Sequence, residues 1–333
     1  MKVLNGILIK NYNKFIASKF ANRNNSICRR IRAMAFHNIC YECKASFGKL
    51  NPDRLFYVIR CPQENMGLFA LINYVVYHIS IAEKYGAEPV VDWKYYPNKY
   101  ITSDTTIGKV NEWECYFKNC TDVLLDDVYK SKNVIMSSGK SDTSSKKEIT
   151  DDLLLKKSRE LYKKYIILND ACKEKVDKEV KRLNIDKVRY LGVKCRGTDF
   201  SNASPKYHAI CPTVKQVVDV IDEKEKKWGK FEKIYVATED SNILEQMIEI
   251  YGERVCFTKS NRFSNTGDRW LGDIYELNQD RDKREDMEDY LITTYILSKC
   301  DSLIAPVVGG TLGALRISEG YNNKYIFELG QHM

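Results

Sequence analysis

The sequence predicts an α/β protein of two doubly wound domains facing a cleft, preceded by a basic helical segment. Three observations predict it. The 333 residues exceed one compact domain and suit two of about 150 each. Short apolar runs rich in β-branched and aromatic residues alternate with amphipathic stretches, the rhythm of parallel sheets covered by helices. Apolar residues make up 44% and charged residues 29%, which excludes a disordered chain.

The charge is unevenly placed. The chain carries +8, yet residues 1–50 hold ten Lys/Arg against one acid, Glu42, a balance of +9. The remaining 283 residues sum to −1. That argues against a nucleic-acid protein with basic grooves through its core. Segment 1–50 is read as helical, with Ile16, Phe20, Ile31, Met34 and Phe36 among basic residues. It suits contact with an anionic membrane face, or it lies on the body as a solvated basic helix. Mean hydropathy is −0.44. The longest apolar stretch, Leu68 to Ala82, is interrupted by Asn73 and His78 and reads as a buried helix.

Met1 to Lys10 lacks the long apolar region of a secretory signal. The eleven cysteines are odd in number and irregularly spaced, and Cys195, Cys256 and Cys300 lie in apolar runs. Reduced thiols and a cytoplasmic location are expected. Cys40-x-x-Cys43 has no second pair to complete a zinc site, and no metal is expected.

The elements follow in order. Leu55 to Ile59 reads as a strand, Leu68 to Tyr85 as a helix stopped by Gly86, and Glu88 to Trp93 as a second strand. Strand–helix–strand in this span is a βαβ unit with a parallel sheet. Ser137 to Thr150 is a polar loop, and Ile149 to Leu183 is helical with one or two breaks. The domains are placed at 51–185 and 186–333. In the second, strands are expected at Tyr190–Cys195, Lys233–Ala237, Val255–Thr258, Ser302–Ala305 and Lys324–Phe327. Helices are expected at Val214–Trp228, Asn242–Tyr251, Glu285–Ser298 and Leu312–Glu319. Each domain is therefore expected to be Rossmann-like.

Ligands of open parallel sheets bind beyond the carboxyl ends of the strands, so the residues released there carry the chemistry. The first strand of the second domain releases Lys194-Cys195-Arg196-Gly197-Thr198-Asp199. Arg196 is a fork donor for a phosphate oxygen, and Gly197 permits close backbone approach. Asp199 is placed to orient Arg196 or to take a proton from an acceptor hydroxyl. The next strand releases Thr238-Glu239-Asp240, a carboxylate set for a base or sugar, or a cap for the following helix. A later strand releases Gly309-Gly310-Thr311 at the start of a helix, where free backbone amides make an anion site. An arginine, a carboxylate and a helix N-terminus at one sheet edge suit a nucleotide diphosphate.

These motifs, in their order, resemble the GDP-fucose fucosyltransferase superfamily, which includes the α-1,6- and protein O-fucosyltransferases, and most closely its bacterial, surface-glycan-associated relatives. The first family motif is similar to Lys194-Cys195-Arg196-Gly197-Thr198-Asp199-Phe200, with His208 before Pro212 following. The second resembles Ala237-Thr238-Glu239-Asp240. The third resembles Leu297-Ser298-Lys299-Cys300-Asp301 and then Gly309-Gly310-Thr311. Gly67-Leu68-Phe69, Pro89-Val90-Val91-Asp92-Trp93 and Trp113 to Phe117 match the family's first-domain pattern.

The resemblance implies a two-domain GT-B-like fold and an inverting, metal-independent transfer of fucose from GDP-fucose to a glycan or lipid-linked glycan. It implies that Arg196 binds the donor pyrophosphate, Glu239 contacts guanine, and Gly309 to Thr311 give backbone donors to phosphate. Gly67, His208 and Arg262 are candidates for the cleft. The chain departs from the pattern at Lys194, where the family has His, and at Gly197, where it has a second Arg. It also has Glu239 for Asp and Thr293 for a helix Asp. Two alternatives therefore stay open: the same fold using another nucleotide sugar, or a non-catalytic nucleotide- or glycan-binding protein. Asp280-Arg281-Asp282 is a formal metal-binding triplet in a charged run and reads as a solvated helix start. Trp93, Tyr95, Tyr96, Tyr100, Trp113 and Tyr116 are read as core first and sugar platforms second.

Overall fold

A computed structural model describes residues 2–3, 6–17, 42–62, 66–100, 106–141, 144–197, 208–264 and 282–332. The helical reading of 18–41, Cys40, Thr198, Asp199, Phe200, Asp280 and Arg281 lie outside the described residues. The fold is mixed α/β with two mainly parallel sheets. The chain divides into two compact units, 1–143 with 160–169, and 144–159 with 170–333.

The first unit contains β1 (Lys2–Val3), α1 (Gly6–Ile16), β2 (Cys43–Ala45), β3 (Leu50–Arg60), α2 (Leu68–Lys84), β4 (Glu88–Asp92), α3 (Leu125–Val128) and β5 (Ser131–Met136). Its sheet order is β1-β2-β5-β3-β4, with β2 antiparallel to β5 and the other pairs parallel. Phe56 and Val58 of β3 share one core with Val90, Val134, Met136, Leu125 and Val128. Helix α2 packs on β3 and β4 and buries Leu71, Ile72, Val75 and Ile79. Gly86 follows it with φ 61°, a conformation that Cβ-bearing residues avoid.

Within residues 1–50 the chain is a helix over Gly6–Ile16 and a strand over Cys43–Ala45. Strand β2 lies on β5, so this stretch adds to the sheet rather than forming only a basic helix. Of the six aromatic residues singled out above, Trp93, Tyr96, Tyr100, Trp113 and Tyr116 are core and Tyr95 is half-buried. Trp93 and Trp113 meet edge-on at 5.1 Å, and both are fully buried with Tyr116 and Tyr96.

The second unit is doubly wound. Helices α4 (Asp152–Tyr165) and α5 (Asp170–Leu183) precede β6 (Tyr190–Lys194), α6 (Val214–Trp228), β7 (Lys233–Ala237), α7 (Ser241–Tyr251), β8 (Val255–Cys256), α8 (Lys283–Leu297), β9 (Ser302–Pro306), α9 (Gly309–Ile317) and β10 (Asn323–Phe327). All five strands are parallel in the order β10-β9-β6-β7-β8. One face buries Ile296, Leu297, Leu312 and Leu315 of α8 and α9, and the other buries Val217, Ile221, Leu244 and Met247 of α6 and α7. Gly192 has no Cβ because Leu297 and Cys300 press on β6 there, 2.8–3.0 Å from where one would stand.

The expected boundary at Asp186 falls later than this division. Leu155, Leu183 and Ile185 are buried in the second unit's core, with Tyr190 and Leu303. Two amphipathic helices do not state in their own sequence which sheet they cover. The division itself runs within α4, at Arg159.

The first unit also buries two titrating groups with opposite effects. Burial, against an opposing contact with the Lys140 carbonyl, pulls His78 down to about 4. Burial pushes Asp92 up to about 6, against hydrogen bonds from the Tyr129 hydroxyl (2.6 Å) and the Tyr95 and Lys94 amides (2.8 and 3.0 Å). His78 is depressed, so its contribution is present above pH 6.5 and is lost as pH falls toward 4. Asp92 is raised, so its contribution is present in acid and is lost as pH rises through 6. Each shift corresponds to about 3 kcal/mol, and the two offset each other between pH 4 and 6.5. Asp92→Asn keeps the acceptor for both amides and removes the buried charge. It is expected to stabilise the protein by about 2–3 kcal/mol at pH 7, with the gain vanishing near pH 4. Urea unfolding at the two pH values checks this; an equal gain at both would sink the account.

Candidate active site

The order of the second sheet places the site. From β6 the chain proceeds to β7 and β8 on one side, then to β9 and β10 on the other. The reversal leaves a crevice between the carboxyl ends of β6 and β9, where helices leave in opposite directions. Lys194 ends β6, and Gly309 opens α9 three residues after the end of β9 at Pro306.

Three residues meet there. The Glu239 carboxylate stands 3.4 Å from Lys194 Nζ and 3.5 Å from Arg196 Nε, and it accepts the Gly197 backbone N–H at 3.0 Å. The side chains are 4%, 19% and 16% exposed for Lys194, Arg196 and Glu239, so solvent screens them little. Burial raises the Glu239 carboxyl, but Arg196, then Lys194 and the amides of Glu239 and Gly197, outweigh it and hold the group below its ordinary value. It is therefore ionised at neutral pH. Lys194 and Arg196 thus place two cations on this one carboxylate.

Local sequence explains the placement. Cys195 N donates to the Ala237 carbonyl at 3.1 Å, continuing the β6–β7 ladder one residue past the strands. That carries Arg196 and Gly197 alongside Glu239. Gly197 passes so close that a Cβ would stand 2.4 Å from Asp240 Oδ2 and 2.6 Å from Ile243 Cδ1. Asp240 is held there because its Oδ1 caps α7, accepting from the amides of Asn242 (2.9 Å) and Ile243 (3.2 Å).

The N-terminus of α9 completes the crevice. Val308 takes the N-cap position and no side chain caps the helix. The first-turn amides of Gly309, Gly310 and Thr311 therefore form an end with partial positive charge. The Thr311 hydroxyl donates inward to the Pro306 carbonyl at 2.7 Å, fixing the turn. A Cβ on Gly310 would lie 3.6 Å from Lys194 Cε, so lysine and helix end are neighbours. The other end of α9 is clamped. Arg316 is buried and donates to both oxygens of Glu148 at 2.8 Å, and Arg159 donates to the Leu315 carbonyl at 2.9 Å.

The remaining expected residues divide. Thr238 and Asp240 serve the turn: Thr238 Oγ1 accepts from the Asp240 amide at 3.2 Å, and Asp240 is the helix cap. Arg262 donates to the carbonyls of Thr258, Ser260 and Thr238 (2.9, 3.3 and 3.2 Å). It ties the segment that follows β8 to the end of β7, as the bridge between Asp240 and Phe263 also does. His208 is exposed, and its carbonyl accepts from the His332 amide at 3.0 Å. Gly67 is the N-cap of α2 in the first unit. Among the described residues no group of three His, Cys, Asp or Glu side chains is placed to hold a metal ion. No described helix is long and apolar enough to cross a membrane. Sequence reasoning missed Arg316–Glu148, whose partners lie 168 positions apart, and Tyr290, a ring on α8 facing Lys194 at 5.6 Å.

Fold and site together describe an open parallel sheet with two cations, a carboxylate and a helix N-terminus gathered at its strand reversal. Among the solved structures that the chain resembles are fucosyltransferases. It is similar to NodZ alpha-1,6-fucosyltransferase soaked with GDP-fucose, at 15% identity over 80% of this chain and 93% of that one, with a TM-score of 0.49. It is similar to NodZ from Bradyrhizobium at 13% identity over 78% and 92%, with a TM-score of 0.45. It is similar to a FUT1 variant of Arabidopsis thaliana in complex with GDP, at 11% identity over 95% and 77%, with a TM-score of 0.49. No protein-family model matches the chain, and no curated protein matches it. With TM-scores below 0.5, function has to be read from the chain's own residues.

Proposed function

We propose that the chain is a glycosyltransferase, an inverting and metal-independent fucosyltransferase moving fucose from GDP-fucose to a glycan or lipid-linked glycan acceptor. The observation that carries this reading is the convergence of Lys194 and Arg196 on Glu239, beside the uncapped N-terminus of α9. A diphosphate matches that set in charge and shape: a guanidinium fork, an ammonium point charge and helix amides. The acceptor hydroxyl attacks the anomeric carbon from the face opposite the diphosphate. The bond from that carbon to the phosphate oxygen breaks, and its electron pair leaves with GDP. Arg196 and Lys194 stabilise the negative charge that grows on the leaving oxygen. The acceptor proton passes to Asp199 or to water. Glu239 holds both cations in place before the donor arrives, which limits reorganisation during the reaction.

The acceptor is assigned to the first unit, and the GT-B-like pairing of the units belongs to the same proposal. So do a cytoplasmic location and contact of residues 1–50 with an anionic membrane face, supported by their balance of +9. One observation favours a second reading. The Glu239 carboxylate is already engaged by Lys194, Arg196 and the Gly197 amide, which competes with reading guanine. The same crevice would then serve another nucleotide sugar.

Thermal unfolding with GDP, GDP-fucose, GDP-mannose, UDP, CMP and dTDP, in EDTA, tests this. A ligand at about 100 times its Kd stabilises the native state by about 2.7 kcal/mol. GDP and GDP-fucose are expected to give that shift. A shift with another nucleotide alone replaces the donor, and no shift with any leaves a binding protein of another kind or an enzyme that binds its acceptor first.

A further inference from the structure

Tyr290 stands on α8 between the two halves of the crevice. Its hydroxyl oxygen lies 2.7 Å from where a Cβ would stand on Gly310, the second residue of α9. The same point is 3.6 Å from Lys194 Cε, and Lys194 Nζ lies 5.6 Å from the Tyr290 ring centroid. The ring thus backs the ammonium while the hydroxyl reaches the helix end. Position 290 is partly exposed, and its backbone carbonyl accepts from the Thr294 hydroxyl at 2.9 Å, which fixes the helix beneath it.

This geometry makes Gly310 a requirement of Tyr290. Any side chain at 310 would meet the phenol oxygen well inside contact distance. The phenol oxygen beside the second residue of α9 is a third kind of donor near the helix end and Lys194. An anion seated on those amides lies within its reach.

We propose that Tyr290 binds the donor: its hydroxyl donates to a phosphate oxygen held at the N-terminus of α9, and its ring steers the Lys194 ammonium to the same group. This rests on reading the crevice as a nucleoside-diphosphate site.

Tyr290→Phe removes the hydroxyl and keeps the ring. Titration calorimetry with GDP is expected to show about tenfold weaker binding, the scale of one hydrogen bond to a charged group. The melting temperature of the free protein should stay unchanged, which separates a binding role from a structural one. Tyr290→Leu, which also removes the ring behind Lys194, is expected to weaken binding further. Wild-type affinity in Tyr290→Phe overturns the role of Tyr290 and leaves the site reading intact. Failure of the wild-type chain to bind GDP or any other nucleoside diphosphate overturns both.

Discussion

Arg196→Ala abolishes the GDP-induced rise in melting temperature and lowers transfer by about two to three orders of magnitude, the cost of removing one preorganised donor from a developing anion. The free protein melts near the wild-type temperature, because Lys194 and the Gly197 amide still hold Glu239. Arg196→Lys separates charge from shape. A guanidinium gives a planar fork and an ammonium a point charge, so the lysine variant restores part of the binding and little of the rate. Melting curves with and without GDP, and turnover at saturating donor, supply the readouts. Full activity in Arg196→Ala would remove the arginine from the mechanism. Unfolding of the free variant would make it a structural residue.

Glu148→Ala is the largest expected loss of stability, about 3–5 kcal/mol. Arg316 is 2% exposed and receives the carboxylate on two nitrogens, with Ser158 beside them. Removing the carboxylate leaves a guanidinium charge buried without its counter-ion, and that penalty exceeds the net worth of the pair. Replacing both partners, Glu148→Leu with Arg316→Met, is therefore expected to cost much less than the single change. Urea unfolding of the three variants decides it. Equal costs for the single and the double would mean that desolvation is not the source. The pair also clamps the α4 end to α9, so Glu148→Ala should weaken GDP binding beyond its effect on stability.

Much of the second unit was legible because its strands are unbroken apolar runs bounded by turn residues. Val214–Trp228 is marked at both ends, by the Thr213–Gln216 capping box and by Gly229 at φ 82°. β5 was missed because Ser131-Lys132-Asn133 reads as loop, although the strand lies beside β3 in the sheet. β8 is shorter than expected because the chain after Cys256 leaves the ladder and rejoins it at Phe263, a turn that Arg262 holds. At the candidate site, the rule of strand ends singled out Lys194, Arg196, Glu239 and Gly309–Gly310, which the fold brings to one sheet edge. It could not show that Glu239 faces the cations, since a carboxylate's partner depends on where the neighbouring strand's end arrives. Arg316 and Glu148 look like surface charges in a helix and a polar loop. Only their meeting makes them core.

The central place of β6 in its sheet has a consequence for the order in which this protein takes shape. Lys194, Arg196 and Glu239 lie within 46 consecutive residues, on strands that are neighbours both in sequence and in space. Their cluster needs only a local crossover. The helix end they serve begins at Gly309, and β9 joins β6 only after a long closure that costs chain entropy. During synthesis the cationic half can therefore form before its counterpart has left the ribosome, with the Glu239 carboxylate already beside Lys194 and Arg196. The carboxylate that organises the finished crevice also shields the unfinished one.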